Sequence, residues 1–255
     1  MKRWLALIVA LGMLGSAGAG DADARRSGFE FMSPSTQAMQ RDDMLNPAML
    51  WAAGGAALWN AGAGKSGMSC AACHGDAKVS MRGVAARYPA FDALSKGPLN
   101  LGQRINQCRQ LRQQAAPLKA ESEELLGIET YVAMQSRGLP LEPPQDARLA
   151  MPVARGQRLF FQRRGQLNLS CAQCHDDNAG KRLGSSTIPQ AHAAAYPIYR
   201  LEWQGMGSLQ RRLRNCISGV RAEVPEYNAQ ELVELELYLA ARDKGMKIET
   251  PAVRP

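Results

Sequence analysis

Two stretches of the chain alternate apolar and polar residues with a helical period. Residues 124–139, ELLGIETYVAMQSRGL, and residues 231–246, ELVELELYLAARDKGM, both place apolar side chains at steps of three and four. That spacing gathers the apolar side chains on one face of an amphipathic helix, and the glycine near the end of each stretch is a stop signal. No strand-rich segment stands out, so the pattern predicts an all-α fold.

A third apolar stretch lies at the start of the chain and differs from these helices. Two basic residues precede an apolar run from Leu5 to about Leu14, and small residues follow around Ala19. This order is typical of a secretory signal peptide over residues 1–19, and the apolar run is too short to cross a bilayer as a helix. We therefore expect an exported mature protein without a membrane span, most simply in a bacterial periplasm.

The net charge of the chain is moderately positive. The formal value of +8 falls to +6 if Lys2 and Arg3 leave with the signal peptide. Such a surplus fits an anionic substrate, an acidic partner or solubility alone. No basic run is interleaved with aromatic residues, as it would be on a nucleic-acid-binding surface, so we expect no nucleic-acid partner.

Four of the six cysteines indicate a prosthetic group. They lie in CAACH, residues 70–74, and CAQCH, residues 171–175. The C-x-x-C-H pattern is that of covalent haem attachment, in which both thiols form thioethers and the histidine ligates the iron. Zinc binding and a redox dithiol are rival interpretations, but zinc would need further Cys or His pairs nearby. The motifs predict two covalently bound haem c groups, attached through Cys70, Cys73, Cys171 and Cys174 and ligated by His74 and His175.

The two halves of the chain align around these motifs as an internal duplication. Gly55 and Gly156 both precede the first motif cysteine by 15 residues. The remaining cysteines, Cys108 and Cys216, both follow a Tyr-Pro pair by 20 residues and an arginine by four. The duplication predicts two tandem cytochrome c-like haem domains, residues 20–145 and residues 146–255.

Each haem iron has a further axial position, whose ligand decides between electron transfer and chemistry. Methionine is the usual ligand in electron carriers, but the candidate methionines are unmatched between the halves: Met81, Met134, Met206 and Met246. His192 lies in a loop-like stretch without a counterpart in the first half, and we interpret it as a surface or propionate-contacting residue. Cys108 and Cys216 do match, which favours them as axial ligands, and a disulfide between them is the alternative.

The sequence resembles SoxA, the dihaem cytochrome family of the SoxAX complex of bacterial thiosulfate oxidation. The resemblance rests on MQRDDMLNPAMLW (39–51), on both C-x-x-C-H motifs and above all on RLRNC (212–216). It extends from about Phe31 to the predicted helix that ends near Arg242, so nearly the whole mature chain takes part.

The resemblance implies a role for each matched residue. The first haem would be ligated by His74 and Cys108, and the second by His175 and Cys216. Cys216 would be the catalytic residue and carry a persulfide, and Arg212 would contact the substrate.

The resemblance also implies a reaction and its partners. As an L-cysteine S-thiosulfotransferase, the protein would conjugate thiosulfate to a cysteine of the carrier protein SoxYZ. It would form a heterodimer with SoxX, a monohaem cytochrome, and a small soluble cytochrome c would accept the electrons.

The arginines beside Cys216 fit this chemistry on physical grounds. Guanidinium groups favour a thiolate or persulfide anion, and their planar forks hold an oxyanion bidentately. Arg212 and Cys216, four residues apart, would lie on one helix face. The alternative function is a dihaem electron-transfer cytochrome without sulfur chemistry, which requires methionine ligands; a dihaem peroxidase is a third, weaker interpretation.

Overall fold

The computed structural model describes residues 23–255, and the predicted signal peptide, residues 1–19, lies outside them. Helices dominate the described part of the chain and confirm the all-α class. They are α1 Pro34–Arg41, α2 Ala48–Asn60, α3 Cys70–His74, α4 Ala77–Ser80, α5 Leu101–Cys108, α6 Glu123–Met134, α7 Ala150–Phe161, α8 Cys171–His175, α9 Leu209–Gly219 and α10 Gln230–Arg242. Within residues 23–255, no helix combines the length and apolar character that a bilayer crossing needs.

Short strands, which the sequence pattern did not predict, connect some of these helices. They are β1 Ala90–Asp92, β2 Gly97–Leu99, β3 Arg182–Leu183, β4 Ser186–Thr187, β5 Ile198–Arg200, β6 Gly205–Gly207 and β7 Ala252–Arg254. β1 pairs with β2 and β3 with β4, while β5 lies between antiparallel β6 and parallel β7. Strands of two or three residues are too short to show an alternating pattern.

Each half contains a pair of helices whose backbones touch. In the first half α2 crosses α6, and a Cβ atom on Gly55 would lie 2.0 Å from the carbonyl oxygen of Gly127. In the second half α7 crosses α10, and a Cβ atom on Gly156 would lie 2.0 Å from the carbonyl oxygen of Glu234. Any side chain at these positions would force the helices apart, which explains why both halves have a glycine there.

Each half also contains a hairpin that leads directly into a helix. In the first half β1 and β2 precede α5, which is capped by the side chain of Asn100. In the second half β5 and β6 precede α9, which is capped by the side chain of Ser208. Asp92 ends β1 and Arg200 ends β5, and each faces a glycine of the paired strand. The two units therefore have the same register.

The two halves share a core and a crossing segment. The sheet of the second half packs on α2 and α6 of the first through a buried cluster of Ala48, Leu126, Tyr199, Met206 and Val253. The segment 23–46 lies along the second half, although it precedes the first haem motif. In this segment Nδ2 of Asn46 donates to the carbonyl oxygen of Pro251 at 2.9 Å, and Nη1 of Arg25 donates to that of Lys244 at 2.9 Å.

Candidate functional site

The two C-x-x-C-H motifs form a matching pair of short helices, α3 and α8. The hydroxyl of Ser69 accepts a hydrogen bond from the backbone N–H of Ala72, and that of Ser170 from the backbone N–H of Gln173. Such N-caps satisfy free donors and fix the first helical turn. Because each helix has five residues, its two cysteines and its histidine lie within little more than one turn.

The surroundings of both motifs fit a haem. Beside α3, Cys70 packs against a cluster whose buried members are Trp59, Ala77, Leu101, Ile128 and Val132. Beside α8, Cys171 packs against a cluster whose buried members are Phe160, Ala172, Leu235 and Leu239. Thiol and imidazole donors beside apolar walls are the combination that a covalently attached haem needs.

None of the six cysteines forms a disulfide, so Cys108 is not joined to Cys216. Cys108 is the exposed last residue of α5, and Cys216 is half-buried within α9. Burial raises the pKa of Cys70, and the Cys108 thiol adds to this effect. Burial likewise raises the pKa of Cys171 to about 11, and Cys216 adds to it. The structure thus brings each downstream cysteine close to the motif of its own half.

The two motif histidines have different environments. Nδ1 of His175 donates to the carbonyl oxygen of Pro189 at 2.7 Å, which leaves Nε2 with the lone pair that a metal ligand needs. Burial lowers the pKa of His175, the hydrogen bond to Pro189 opposes this shift and the charge of Arg212 adds to it, so the neutral ring is favoured. His74 instead lies beside Trp59, with the ring centroids 5.8 Å apart.

His192 is buried, so the expectation of a surface residue was wrong; the propionate contact stays a prediction. Its side chain is 3% exposed, and its Nδ1 lies 2.6 Å from Oδ1 of Asp243, which is fully buried. The Asp243 carboxylate also accepts a hydrogen bond from the backbone N–H of Ala193. Asp243 therefore ties the loop 189–193 to the end of α10. The partners are 51 residues apart, and no local sequence pattern indicates their contact.

The candidate methionines lie in different settings. Met206 is 2% exposed and packs with Leu126 and Val253 in the core between the halves. Met81 packs on the cluster beside α3, and Met246 packs on a separate small cluster. Met134 is the last residue of α6.

Arg104 and Arg212 occupy matched positions on α5 and α9 but differ in their partners. Nη2 of Arg104 lies 3.0 Å from Oδ1 of Asp92, whose side chain is 4% exposed, and Nε donates to Oη of Tyr88 at 3.3 Å. Within residues 23–255 the side chain of Arg212 has no hydrogen-bond or salt-bridge partner, and its backbone N–H donates to the carbonyl oxygen of Ser208. Its guanidinium group is therefore available to a ligand.

Three aromatic residues lie around the helix segment that contains Arg212. Burial raises the pKa of Tyr196, whose hydroxyl also senses the charges of Arg212 and Cys216. Arg211 lies over the ring of Trp203 at 4.1 Å, and Arg214 lies over that of Tyr227 at 4.2 Å. Arg211 and Arg214 thus have aromatic partners, whereas Arg212 has none among residues 23–255.

Sequence reasoning missed Arg200. This residue ends β5, where the first half has Asp92 at the end of β1. Burial lowers the pKa of Arg200, and the charge of Arg212 lowers it further. The second half therefore has two cations, whose charges act on each other, at positions where the first half has an ion pair.

A cavity of about 130 Å³ between the halves was also not predicted. Glu121, Glu129 and Glu236 line it, and no Lys, Arg or His does among residues 23–255. Burial raises the pKa of Glu129 to about 8 and that of Glu236 to about 7. Nδ2 of Asn100 donates to Oε2 of Glu236 at 2.9 Å, and this contact opposes the shift at Glu236. The cavity therefore holds protons near neutral pH.

Comparison with known proteins gives a consistent family match. The sequence model of the family described as SoxA/TsdA, cytochrome c domain, matches residues 54–141 and residues 155–248. The L-cysteine S-thiosulfotransferase subunit SoxA of Pseudaminobacter salicylatoxidans is 40% identical over 233 residues, which cover 91% of this chain and 82% of that protein. The protein of the same name from Paracoccus pantotrophus is 33% identical and covers 91% of this chain and 80% of its own length.

The fold is similar to a solved structure as well. A chain of the crystal structure of SoxXA from P. pantotrophus superposes with a TM-score of 0.87 at 33% sequence identity. The superposition covers 91% of this chain and 87% of that chain. The similarity therefore extends over both halves rather than over one haem motif.

Proposed function

The chain belongs to the SoxA/TsdA cytochrome c family, and on that premise we propose that it is the SoxA-type subunit of an L-cysteine S-thiosulfotransferase. In this role it conjugates thiosulfate to a cysteine of a SoxYZ-like carrier protein. The catalytic site lies in the second half, at Cys216 and Arg212.

One observation carries the proposal for this site. Arg212 lies four residues before Cys216 on α9, and its guanidinium group has no protein partner within residues 23–255. Arg104, at the matched position of the first half, is paired with Asp92 at 3.0 Å. An unpaired guanidinium on the same helix face as a cysteine can hold an anion beside the sulfur.

The reaction requires a thiol, an anion and an electron outlet. The carrier thiol and thiosulfate join through a new S–S bond between the cysteine sulfur and the terminal sulfur of thiosulfate. The thiol loses its proton, and two electrons leave. In our proposal Cys216 carries an extra sulfur as a persulfide, whose outer sulfur bonds to the terminal sulfur of thiosulfate as two electrons leave. The carrier thiolate then attacks that terminal sulfur, which breaks the bond to the persulfide and restores it, while Arg212 holds the sulfonate group.

The residues around the site prepare this chemistry. Pro189 orients the His175 ring through the hydrogen bond to Nδ1, so that Nε2 can serve as the axial ligand. Arg212 stabilises the negative charge of a thiolate or persulfide at Cys216 by direct charge interaction. Tyr196 is partly buried, and its hydroxyl lies close enough for the charges of both residues to act on it.

Two covalently bound haem c groups would be held by the matched motifs. Cys70 and Cys73 would attach the first and Cys171 and Cys174 the second, with the iron held by His74 and Cys108 in the first and by His175 and Cys216 in the second. Bound haem c supplies one-electron transfer, which lets the two electrons leave singly. In the proposed organisation, residues 20–145 form the first haem domain and residues 146–255 the second, catalytic domain.

The partners follow from the electron outlet and from the family. We propose a heterodimer with a SoxX-like monohaem cytochrome, consistent with the fold match to a chain of SoxXA. A small soluble cytochrome c takes the electrons onward. Export by the signal peptide at residues 1–19 would place all of these proteins in the periplasm.

The test is a turnover assay with the purified complex of this chain and its SoxX-like partner. Oxidised small cytochrome c, thiosulfate and a SoxYZ-like carrier are supplied together and then with each component omitted. We expect two cytochromes reduced for every carrier that gains thiosulfate, as measured by intact mass. Cytochrome reduction without any conjugated carrier would indicate a cytochrome that only relays electrons.

A further inference from the structure

We propose that Arg200 and Arg212 form a two-guanidinium site for the sulfonate group of thiosulfate, so that Arg200 is a second substrate-binding residue. The inference deepens the proposed function and rests on it. It assigns a chemical role to a residue that lies outside the RLRNC motif. In the repeat, the second half has the positive Arg200 where the first half has the negative Asp92.

The hairpin and helix units of the two halves place these residues equivalently. Asp92 pairs with Gly97 across β1 and β2, and Arg200 pairs with Gly205 across β5 and β6. In both halves the arginine on the following helix comes 12 residues after the strand end, since Arg104 follows Asp92 and Arg212 follows Arg200 by this interval. Because the register and the spacing are equal, Arg200 and Arg212 occupy the positions in the second half that Asp92 and Arg104 occupy in the first.

The charges at this place differ between the halves. In the first half Asp92 and Arg104 form a salt bridge of 3.0 Å. In the second half both positions carry guanidinium groups, whose like charges repel at short range in a partly buried setting. A bound anion would replace the missing carboxylate and relieve the repulsion. The second half thus has two guanidinium groups and no carboxylate at these matched positions.

The Arg200 side chain has a fixed position with donors to spare. It is 12% exposed, its Nε donates to the carbonyl oxygen of Pro255 at 2.9 Å and its Nη2 lies 2.7 Å from Oε2 of Glu202. Its guanidinium carbon lies 5.1 Å from the centre of the Trp203 ring. Glu202 is 58% exposed, so water screens this ion pair and leaves much of the positive potential of Arg200 in place.

The site also includes the proposed catalytic sulfur. The charges of Arg212 and Cys216 both act on Arg200, and burial with the Arg212 charge lowers the pKa of Arg200. Nη1 of Arg200 has no hydrogen-bond partner in the described part of the chain, so this group can reach an oxyanion. A sulfonate held by two planar forks would keep the terminal sulfur of thiosulfate oriented toward Cys216.

A carboxylate could satisfy the same pair of arginines. The shared chemistry is a compact oxyanion, and its two sources are the substrate sulfonate and a propionate of the second haem. The two sources predict different responses: loss of a sulfonate contact weakens thiosulfate binding, whereas loss of a propionate contact shifts the haem potential. The experiment therefore measures both quantities in the same variants.

The experiment compares Arg200→Ala, Arg200→Gln and Arg200→Asp in the haem-loaded complex. Thiosulfate binding is measured by calorimetry in the absence of carrier, with sulfate as a non-reacting probe. We expect Arg200→Ala and Arg200→Gln to weaken thiosulfate binding by at least about tenfold, the equivalent of one charge-assisted hydrogen bond. Arg200→Asp should weaken it by about a hundredfold, because its carboxylate would pair with Arg212 as Asp92 pairs with Arg104.

The control and the contrary outcomes are equally specific. Arg104→Ala, the change in the first half, should leave thiosulfate binding unchanged. Arg200→Gln keeps a polar side chain with an amide donor but no charge, so it reports on binding even if Arg200→Ala does not load haem. Unchanged thiosulfate affinity in Arg200→Gln overturns the inference, and a shifted potential of the second haem with unchanged affinity assigns Arg200 to a propionate. Failure of the proposed function is distinct, because wild-type complex would then bind thiosulfate without forming conjugate.

Discussion

At one matched position the first half has Asp92 beside Arg104, whereas the second half has Arg200 beside Arg212. The backbone register, the helix cap and the spacing are the same in both halves. The first half uses its arginine for an internal salt bridge of 3.0 Å. Within residues 23–255 the guanidinium group of Arg212 has no protein partner, so it can bind a ligand, whereas that of Arg104 is held by Asp92.

The chain segments that follow the two haem motifs also differ, in their length and in their contacts with the motif histidine. Cys216 follows its motif histidine by 41 residues, and Cys108 follows its own by 34. The longer segment of the second half contains the β3–β4 hairpin and the loop 189–193, whose Pro189 carbonyl accepts from His175. Extra chain thus gives the second motif a fixed histidine, while His74 has an aromatic neighbour.

The two halves of a duplicated fold can thus keep the same backbone geometry while their side chains differ in charge and in contacts. The glycines, caps and register needed to build each half are repeated. The charge at the strand end and the hydrogen bond to the motif histidine differ between the halves. Variants made in matched pairs, one in each half, therefore separate structural from catalytic roles.

The largest difference between the halves is expected for the axial-cysteine candidates. Cys216→Met should keep both haems attached, because the thioethers use other cysteines, but conjugation should fall to background. The potential of the second haem should rise, since a thioether stabilises ferric iron less than a thiolate does. Cys108→Met is the matched control and should retain conjugation. Equal loss in both variants would show that the halves share the catalytic role.

The next effect is expected at the matched arginines. Arg212→Ala removes one or two charge-assisted hydrogen bonds worth roughly 1.5–3 kcal/mol each, so kcat/KM for thiosulfate should fall at least about tenfold per bond. Arg212→Lys should recover only part of this loss. Arg104→Ala should leave kcat/KM near the wild-type value and lower the Tm, because it leaves buried Asp92 unpaired. Unchanged turnover in Arg212→Ala, with a shifted haem potential, would make Arg212 a propionate partner.

A smaller effect is expected at the glutamates between the halves. Their folded-state pKa values of about 8 and about 7 lie above the usual value of 4.5. As pH rises above about 4.5 the unfolded chain loses these protons first, so the free energy of unfolding should decrease until about pH 8. Glu129→Gln should flatten this decrease and raise the Tm at pH 8 by a few degrees, about 2–4 °C per kcal/mol.

Glu236 occupies the position in the second half that matches Glu129 and provides a second test. Glu236→Gln should have the smaller effect, because Glu236 already accepts a hydrogen bond from Asn100. Glu123→Gln, at the exposed start of α6, should leave the pH dependence of the Tm unchanged. Thermal unfolding at pH 5 and pH 8 checks all three variants. A Tm of the wild-type protein that is higher at pH 8 than at pH 5, with no change in Glu129→Gln, would contradict the buried-proton account.

The smallest effect is expected at the proximal loop of the second half. His192→Ala should loosen the loop 189–193, weaken the hydrogen bond from His175 to Pro189 and modestly raise the potential of the second haem. In His192→Asn the potential of the second haem should stay near the wild-type value, because the asparagine amide can donate to Asp243 in place of Nδ1. Ser136→Ala, at the first-half position that matches Asp243, should leave both potentials unchanged. Equal shifts of both haems in His192→Ala would indicate general destabilisation.

Much of the fold could be predicted from sequence because its determinants are local. The two C-x-x-C-H motifs, the helical periodicity of α6 and α10 and the spacing of Gly55 and Gly156 all appear within short windows. The contacts between distant segments could not be predicted in this way. His192 meets Asp243 across 51 residues, and the cavity glutamates meet only when the halves pack.

Arg200 is a different case, because its signal was in the sequence. Arg200 precedes Cys216 by 16 residues, as Asp92 precedes Cys108. Alignment of the halves by identical residues passes over such a position, since it is a mismatch. The reversed charge at this matched position indicates a difference in role that identical residues do not reveal.

The central claim, that the second half alone is catalytic through a modified Cys216, can be tested by mass spectrometry. Trypsin would release residues 215–221 with Cys216 and residues 105–109 with Cys108, and both peptides lie outside the haem motifs. For complex purified without reductant, we predict that the Cys216 peptide carries the mass of one additional sulfur atom and that the Cys108 peptide does not. An unmodified Cys216 peptide in active complex, or the same added sulfur on both peptides, would contradict the account.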